Sequence, residues 1–437
     1  MRSDPVTTDG WRGLPGPDWS EATVAGILAG LAASGVLGPS PAVAFDSRGG
    51  SRELALLGVD LLTGLGLNCL LGDEPSPTPA LGRFVRDNAG VTSGITFTAS
   101  HNPAGYVGLK LRDADGLSRD VPRLGPVTAP IPQRHSAPAW VSLNAHYAAT
   151  AGRDLLTALG GFDGRLIIDT AHGALGALAR LLPELTWSRS RPLPFFGGVT
   201  PDPVVPGNTE AAWRAALGET RHPERLLAAF SDGDGDRLVL ATARSGYVSS
   251  TEQAAVLCRG GLPAAAVIGT VVTPRMIRHV AVSRQLDWIE VPVGFKHVVG
   301  AWRARGRPAA LGLEPNGALA YATDRDGYFE RDALRALALV VQRCPSVAAL
   351  DDAVAGLRDR YPGTPEMMTT PLAREEVLRR LSAPLSGWQA EQAGQVTSFT
   401  HGSWRILVRR SGTEEATRIY AEAPSELVEA IRNLFGT

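Results

Sequence analysis

Lysine is almost missing from this 437-residue chain: of its 43 basic residues only Lys110 and Lys296 are lysines, and the rest are arginines. Arginine stays charged near neutral pH, whereas a lysine whose pKa is depressed can exchange a proton. The two lysines therefore mark candidate positions for work that arginine cannot do. Cysteine is scarce as well. Cys69, Cys258 and Cys344 are odd in number and far apart, which argues against structural disulfides and for a reducing compartment. The segment Met1–Pro5 lacks the apolar stretch of a signal peptide, and no later run reads as a bilayer span. Net charge is −1 with no long basic run, so neither nucleic acid nor a membrane surface has an electrostatic footprint here. The expectation is a cytoplasmic protein.

What is present fits a soluble globular chain, with 44% apolar and 20% charged residues. At this length it divides into several domains. The first third alternates between helix and strand patterns. Residues 20–33, 51–63 and 80–88 read as helices, and 41–45, 67–71 and 94–99 as strands. A proline-rich stretch, Pro122 to Pro138, reads as a linker. The alternation then resumes with a strand at 165–169, a helix at 174–182 and a strand at 226–230. A third block has strands at 265–272 and 288–293. The last eighty or so residues differ, with extended segments at 404–408 and 418–422 and a closing helix at 425–435. The fold class implied is α/β: three α/β domains with mixed, mostly parallel sheets, plus a smaller C-terminal α+β domain.

Four loops carry candidate chemistry. In Ser231-Asp232-Gly233-Asp234-Gly235-Asp236-Arg237, three carboxylates alternate with glycines and can curl around one hard divalent cation. A calcium EF-hand begins similarly, but its obligatory glycine and distal acid fall here on Arg237 and Ala243, which excludes it. Thr98-Ala99-Ser100-His101-Asn102-Pro103 directly follows a strand, where functional loops of open α/β sheets lie. Ser100 there could be a nucleophile or phosphate carrier beside His101, or simply part of an ST-turn. Arg409-Arg410-Ser411-Gly412-Thr413-Glu414, with Arg418 just beyond, offers backbone N–H groups, hydroxyls and arginine forks to a phosphate, or is a solvated basic turn. Gly312-Leu313-Glu314-Pro315-Asn316-Gly317 places Glu314 and Asn316 where they could hold vicinal hydroxyls, or is a plain turn.

Taken in order, these loops resemble those of the α-D-phosphohexomutase superfamily, whose serine, metal, sugar and phosphate loops follow the same sequence. Asp9–Gly13, Asp169–Gly173 and Val293–His297 add supporting matches. The resemblance implies four domains around a central cleft. They are 1–143 with the phosphoserine loop, 144–243 with the metal loop, 244–355 with the sugar loop, and 356–437 with the phosphate loop. It implies a phosphosugar mutase that exchanges hexose 1-phosphate and hexose 6-phosphate through phosphorylated Ser100 and a sugar bisphosphate. It also implies Mg²⁺ held by Asp232, Asp234, Asp236 and an oxygen on Ser100, with a sugar 1,6-bisphosphate as activator. Lys110, then His101, are its acid/base candidates, and Arg12 and Arg237 add positive charge. Lys296, Glu314, Asn316, Arg409, Ser411, Gly412, Thr413 and Arg418 would bind the phosphorylated sugar, in a monomer or dimer.

Several positions depart from the usual pattern: Asn316 for serine, Ala318 for histidine, and Arg410 and Glu415 for prolines. These leave the carrier serine and metal ligands intact but leave the sugar open, an amino or pathway-specific sugar included. The competing readings are a related phosphotransferase or phosphatase and a non-catalytic phosphosugar-binding protein. A two-zinc phosphatase is disfavoured because the eight histidines show no clustered ligand spacing.

Overall fold

The computed structural model describes residues 6–7, 10–16, 19–122, 124, 137–323, 327–362, 364–411 and 416–436. Four sheets follow one another along the chain. In the first, Pro41–Phe45 is the hub: it pairs in parallel with Ser93–Phe97 on one side and Leu70–Gly72 on the other. Its five residues, PAVAF, are all buried, as a strand covered on both faces requires. Ser93–Phe97 then pairs antiparallel with Val107–Arg112, and Val107–Arg112 with Gly10–Gly13.

The second and third sheets repeat the plan. Leu226–Ser231 pairs in parallel with Arg165–Asp169 and antiparallel with Leu238–Thr242. Ala310–Glu314 pairs in parallel with Ala266–Thr270 and antiparallel with Ala318–Ala322. Thus in each sheet one parallel strand turns directly into an antiparallel neighbour. The serine, metal and sugar loops are those three turns. The fourth sheet is antiparallel throughout, in the order Thr364–Thr370, Thr417–Ala423, Trp404–Arg410, Val396–His401, Gln389–Ala393. The helices Arg374–Leu381 and Ser425–Phe435 bury Val377, Leu381, Val428 and Ile431 against Ile406, Val408 and Ile419 of this sheet. Its phosphate loop joins Trp404–Arg410 to the adjacent Thr417–Ala423.

Some expectations need correction. Residues 174–182 form a tight 3₁₀ helix over Ala174–Arg180, in which Gly176 abuts the Ser190 carbonyl too closely for a side chain. The extended stretch at 67–71 begins only at Leu70. The division after residue 243 would cut a hairpin, since Thr242 pairs with Gly246 and keeps Gly246–Val248 in the second sheet. That after residue 355 would cut the helix Val347–Arg360, which packs on Ser250–Arg259 of the third unit. The proline-rich linker at 122–138 lies mostly outside the described residues. Among the described residues no helix is long and apolar enough to cross a membrane.

One continuous core joins the first three sheets, from Ala42 and Ala44 through Leu166 and Ile168 to Val267 and Leu311. A polar latch reinforces it. Arg83 pairs with Asp332 at 2.9 Å, and the Tyr147 hydroxyl donates to the same carboxylate at 2.5 Å. Asp332 also caps the helix Ala333–Arg343 by accepting from the Arg335 N–H. Asp332→Ala leaves a buried guanidinium unpaired and is expected to lower unfolding stability by about 3–5 kcal/mol. Asp332→Asn, which keeps the cap and one acceptor, should lose less, and urea unfolding of the two variants checks the order.

Candidate active site

The acidic loop folds back on its own first member. Asp232 Oδ1 accepts the backbone N–H groups of Asp236 and Arg237 at 3.0 and 3.2 Å, which curls the chain and turns the three carboxylates inward. Glycine is required at position 233, because a Cβ there would stand 2.7 Å from the Ser100 carbonyl oxygen. That close approach brings the metal loop onto the serine loop. Ser100 Oγ donates to Asp232 Oδ2 at 2.8 Å.

All three aspartates are fully buried, so their charge must be met locally. Lys110 meets most of it, donating to Asp234 Oδ2 and Asp236 Oδ2, each at 2.7 Å. It stands opposite Thr96 on the strand neighbouring the one that leads into Ser100. The Arg237 guanidinium lies 3.7 Å from Asp232 and 3.9 Å from Asp236. Thr78 Oγ1 donates to Asp234 at 2.6 Å. Burial, reinforced by the carboxylates of Asp234 and Asp236, pushes Asp232 well above the usual carboxylate range. Asp234 moves the other way: burial opposes its charge, but the adjacent Lys110 ammonium outweighs it and holds the carboxyl below that range.

The donor set fits a divalent cation. The carboxylate ligand atoms of Asp232, Asp234 and Asp236 lie within 4.8 Å of one another. Asp234 Oδ1 and Asp236 Oδ1 are buried without a hydrogen-bond partner. Unpartnered carboxylate oxygens converging at that spacing, with a serine oxygen beside them, are the ligands a hard ion such as Mg²⁺ takes.

Beside this cluster lies a cavity walled by all four sheet units, with Arg12 and His101 from the first, Arg237 from the second, Glu314, Asn316 and Arg331 from the third, and Arg409 and Arg418 from the fourth. Burial, then the charges of Arg237, Arg12, Arg418 and Lys110, hold the His101 imidazole well below its ordinary pKa, so the ring is neutral. Arg12 is anchored through Nη1 to Asn102 Oδ1 at 2.8 Å. Arg409 and Arg418 are direct cross-strand partners, both largely buried. Like charges placed opposite one another repel, and an anion shared between them removes that cost. Glu314 Oε1 accepts the Gly294 N–H at 3.0 Å, and Asn316 Oδ1 the N–H of Ala318 at 3.3 Å.

Not every expected residue faces the cavity. Ser100 is fully covered, and Lys110 lies behind the wall among the aspartates. Lys296 pairs with Asp120 at 2.6 Å and is absent from the lining, as is Ser411. Gly412 and Thr413 lie outside the described residues. Sequence reasoning missed three residues. Thr78 orients Asp234. Arg331 reaches within 3.5 Å of Asp236 and stacks 5.0 Å over Phe295. Arg48 binds the carbonyls of the serine loop. The one available signal was that Asp46 to Arg48 directly follow a buried strand, the same placement that marked Ser100.

Residues 5–124 match the family model described as phosphoglucomutase/phosphomannomutase, alpha/beta/alpha domain I, and residues 238–357 match domain III of the same family. A phosphoglucosamine mutase of Gluconacetobacter diazotrophicus is 27% identical over 465 residues, covering 97% of this chain and 95% of the relative. One from Kineococcus radiotolerans is 28% identical over 455 residues, covering 95% and 94%. Among solved structures, the open form of pp63/parafusin, a phosphoglucomutase from Paramecium, superposes with a TM-score of 0.75 at 17% identity, covering 99% of this chain and 95% of that one.

Asp234→Asn should weaken Mn²⁺ binding, read by electron paramagnetic resonance, more than Thr78→Val. The latter removes only the group that orients the ligand and is expected to cost about 10–100-fold in affinity.

Proposed function

Since the chain belongs to the α-D-phosphohexomutase superfamily, we propose that it interconverts a hexose 1-phosphate and a hexose 6-phosphate with Ser100 as the phosphoryl carrier. It is a phosphosugar mutase. The observation that carries the finer reading is the 2.8 Å contact of Ser100 Oγ with Asp232, inside a buried acidic cluster next to a cavity lined by arginines.

Phosphoryl transfer depends on alignment and on charge placed against the equatorial oxygens. Arg12, Arg237 and Arg331 supply that charge from the protein side. A Mg²⁺ held by Asp232, Asp234, Asp236 and a Ser100 oxygen, when bound, neutralises charge on the transferring group. The bond between Ser100 Oγ and phosphorus breaks as a substrate hydroxyl forms its own, giving a sugar bisphosphate. The hydroxyl proton passes to a base. His101, neutral and on the cavity wall, is placed to take it, whereas Lys110 holds the aspartates in register from behind.

The bisphosphate then turns, and its second phosphoryl group returns to Ser100. Arg409 and Arg418 grip whichever phosphate is not being transferred, and Glu314 and Asn316 hold sugar hydroxyls. Such a clamp reads phosphate and vicinal hydroxyls, features common to both orientations. A sugar 1,6-bisphosphate primes the enzyme by phosphorylating Ser100. Because the relatives are named phosphoglucosamine mutases, glucosamine phosphate is the first substrate to test, followed by glucose, mannose and N-acetylglucosamine phosphates.

³¹P NMR with Mg²⁺ and a trace of the matching 1,6-bisphosphate should show the 1- and 6-phosphate resonances exchanging, and Ser100→Ala should abolish the exchange. Inorganic phosphate accumulating in place of exchange would establish a phosphatase. With the preferred sugar, Arg418→Ala should raise KM by about 10–100-fold, the range expected for losing a charge-assisted hydrogen bond.

A further inference from the structure

Ser100 sits at φ +53°, in the left-handed region that a residue with a Cβ occupies only when its surroundings impose it. Its carbonyl is held by a buried side chain that the phosphoryl-transfer scheme does not use. Arg48 follows the buried strand Pro41–Phe45, and its side chain is wholly inaccessible. Its Nη2 donates to the carbonyl oxygens of Ser100 and of Asn102, the latter at 2.7 Å. Its Nη1 donates to those of Pro103 at 2.7 Å and Tyr106 at 3.4 Å. The Nε edge pairs with Asp46 Oδ2 at 3.1 Å. Asp46 also accepts from Thr98 Oγ1 at 2.7 Å, and that hydroxyl in turn accepts the Ser100 N–H at 2.8 Å. Both backbone polar groups of Ser100 are thereby tied to one Asp46–Arg48 pair.

The opposite face of the guanidinium stacks 4.8 Å from the Phe196 ring, which comes from the second unit. A Cβ on Gly233 would lie 3.1 Å from that same ring. Arg48 therefore lies where the serine loop meets the metal loop.

We infer that Arg48 is a positioning residue for the phosphoryl carrier. Through the loop carbonyls it sets Ser100 Oγ against the acidic cluster, and it contacts neither the cavity nor Asp232, Asp234 or Asp236. The inference rests on Ser100 being the carrier. Only a planar fork with several donors reaches this set of acceptors; the single ammonium of a lysine cannot.

The test uses the full chain and compares wild type with Arg48→Lys, Thr98→Val and Thr98→Ser, alongside Val59→Ala as a core variant of the first unit that is remote from the loop. Each is assayed for melting temperature, ³¹P resonance of the phosphoserine, kcat and KM. Misplacing the reacting oxygen is expected to lower kcat about 100-fold in Arg48→Lys. KM should stay within about twofold, because Arg409 and Arg418 are untouched. The phosphoserine resonance should move. Thr98→Val should follow in the same direction, and Thr98→Ser, which restores the hydroxyl, should recover activity. Val59→Ala should lose stability but keep its kcat and its resonance. If Arg48→Lys and Thr98→Val lose no more kcat than Val59→Ala, or leave the phosphoserine resonance in place, Arg48 is structural and the inference falls. Wild type that exchanges phosphate without ever phosphorylating Ser100 overturns the carrier reading itself, and the inference with it.

Discussion

Three carboxylates buried in a single short loop cannot persist without cations, and much of the molecule is arranged around supplying them. Lys110 reaches Asp234 and Asp236 from the first sheet, Arg237 comes from the loop itself, and Arg331 approaches Asp236 from the third unit. Lys110 and Arg331 could not meet the aspartates unless separate sheets were fixed against one another. The continuous core through the first three units and the Arg83–Asp332–Tyr147 latch do that. The two unpartnered carboxylate oxygens that remain are where a divalent cation fits.

The same local device is used three times. In the first three sheets a strand turns directly into its antiparallel neighbour, and the turn carries Ser100 and His101, the three aspartates, or Asn316. A turn between two paired strands is pinned at both ends by the ladder, so its side chains are positioned closely while the tip remains free to face a neighbouring unit. The fourth unit is held differently. Val272, Leu407 and Tyr420 form a small apolar seam between it and the third, and Arg405 bridges Glu422 to the Val271 and Thr273 carbonyls. A seam of that size separates at far lower cost than the shared core of the other three. Arg409 and Arg418 are thus on the unit that this smaller seam joins to the third.

Much of this organisation was legible from residue order. Continuous apolar runs such as Pro41–Phe45 and Leu166–Ile168 identify themselves as buried strands, because a strand covered on both faces has no polar side to show. The alternation of Asp and Gly in 232–236 declares a cation loop, because closely spaced carboxylates need a shared counter-charge. Helix ends inside the third unit were harder to place: nothing in the composition of 347–360 separates a helix that belongs to one unit from the start of the next.

Tertiary structure alone decided which charges meet. The near absence of lysine singled out Lys110 and Lys296 equally, yet Lys110 is buried between two aspartates and Lys296 pairs with an exposed surface carboxylate. That Arg409 and Arg418 face each other follows from strand register, and that Arg48 donates to the Ser100 and Asn102 carbonyls follows from a loop folding over it. Residue types and their local spacing determined the strands, the turns and the chemistry each loop can offer, because these depend on neighbours along the chain. Which of those groups share a site depends on pairing across more than a hundred residues, and packing alone sets that.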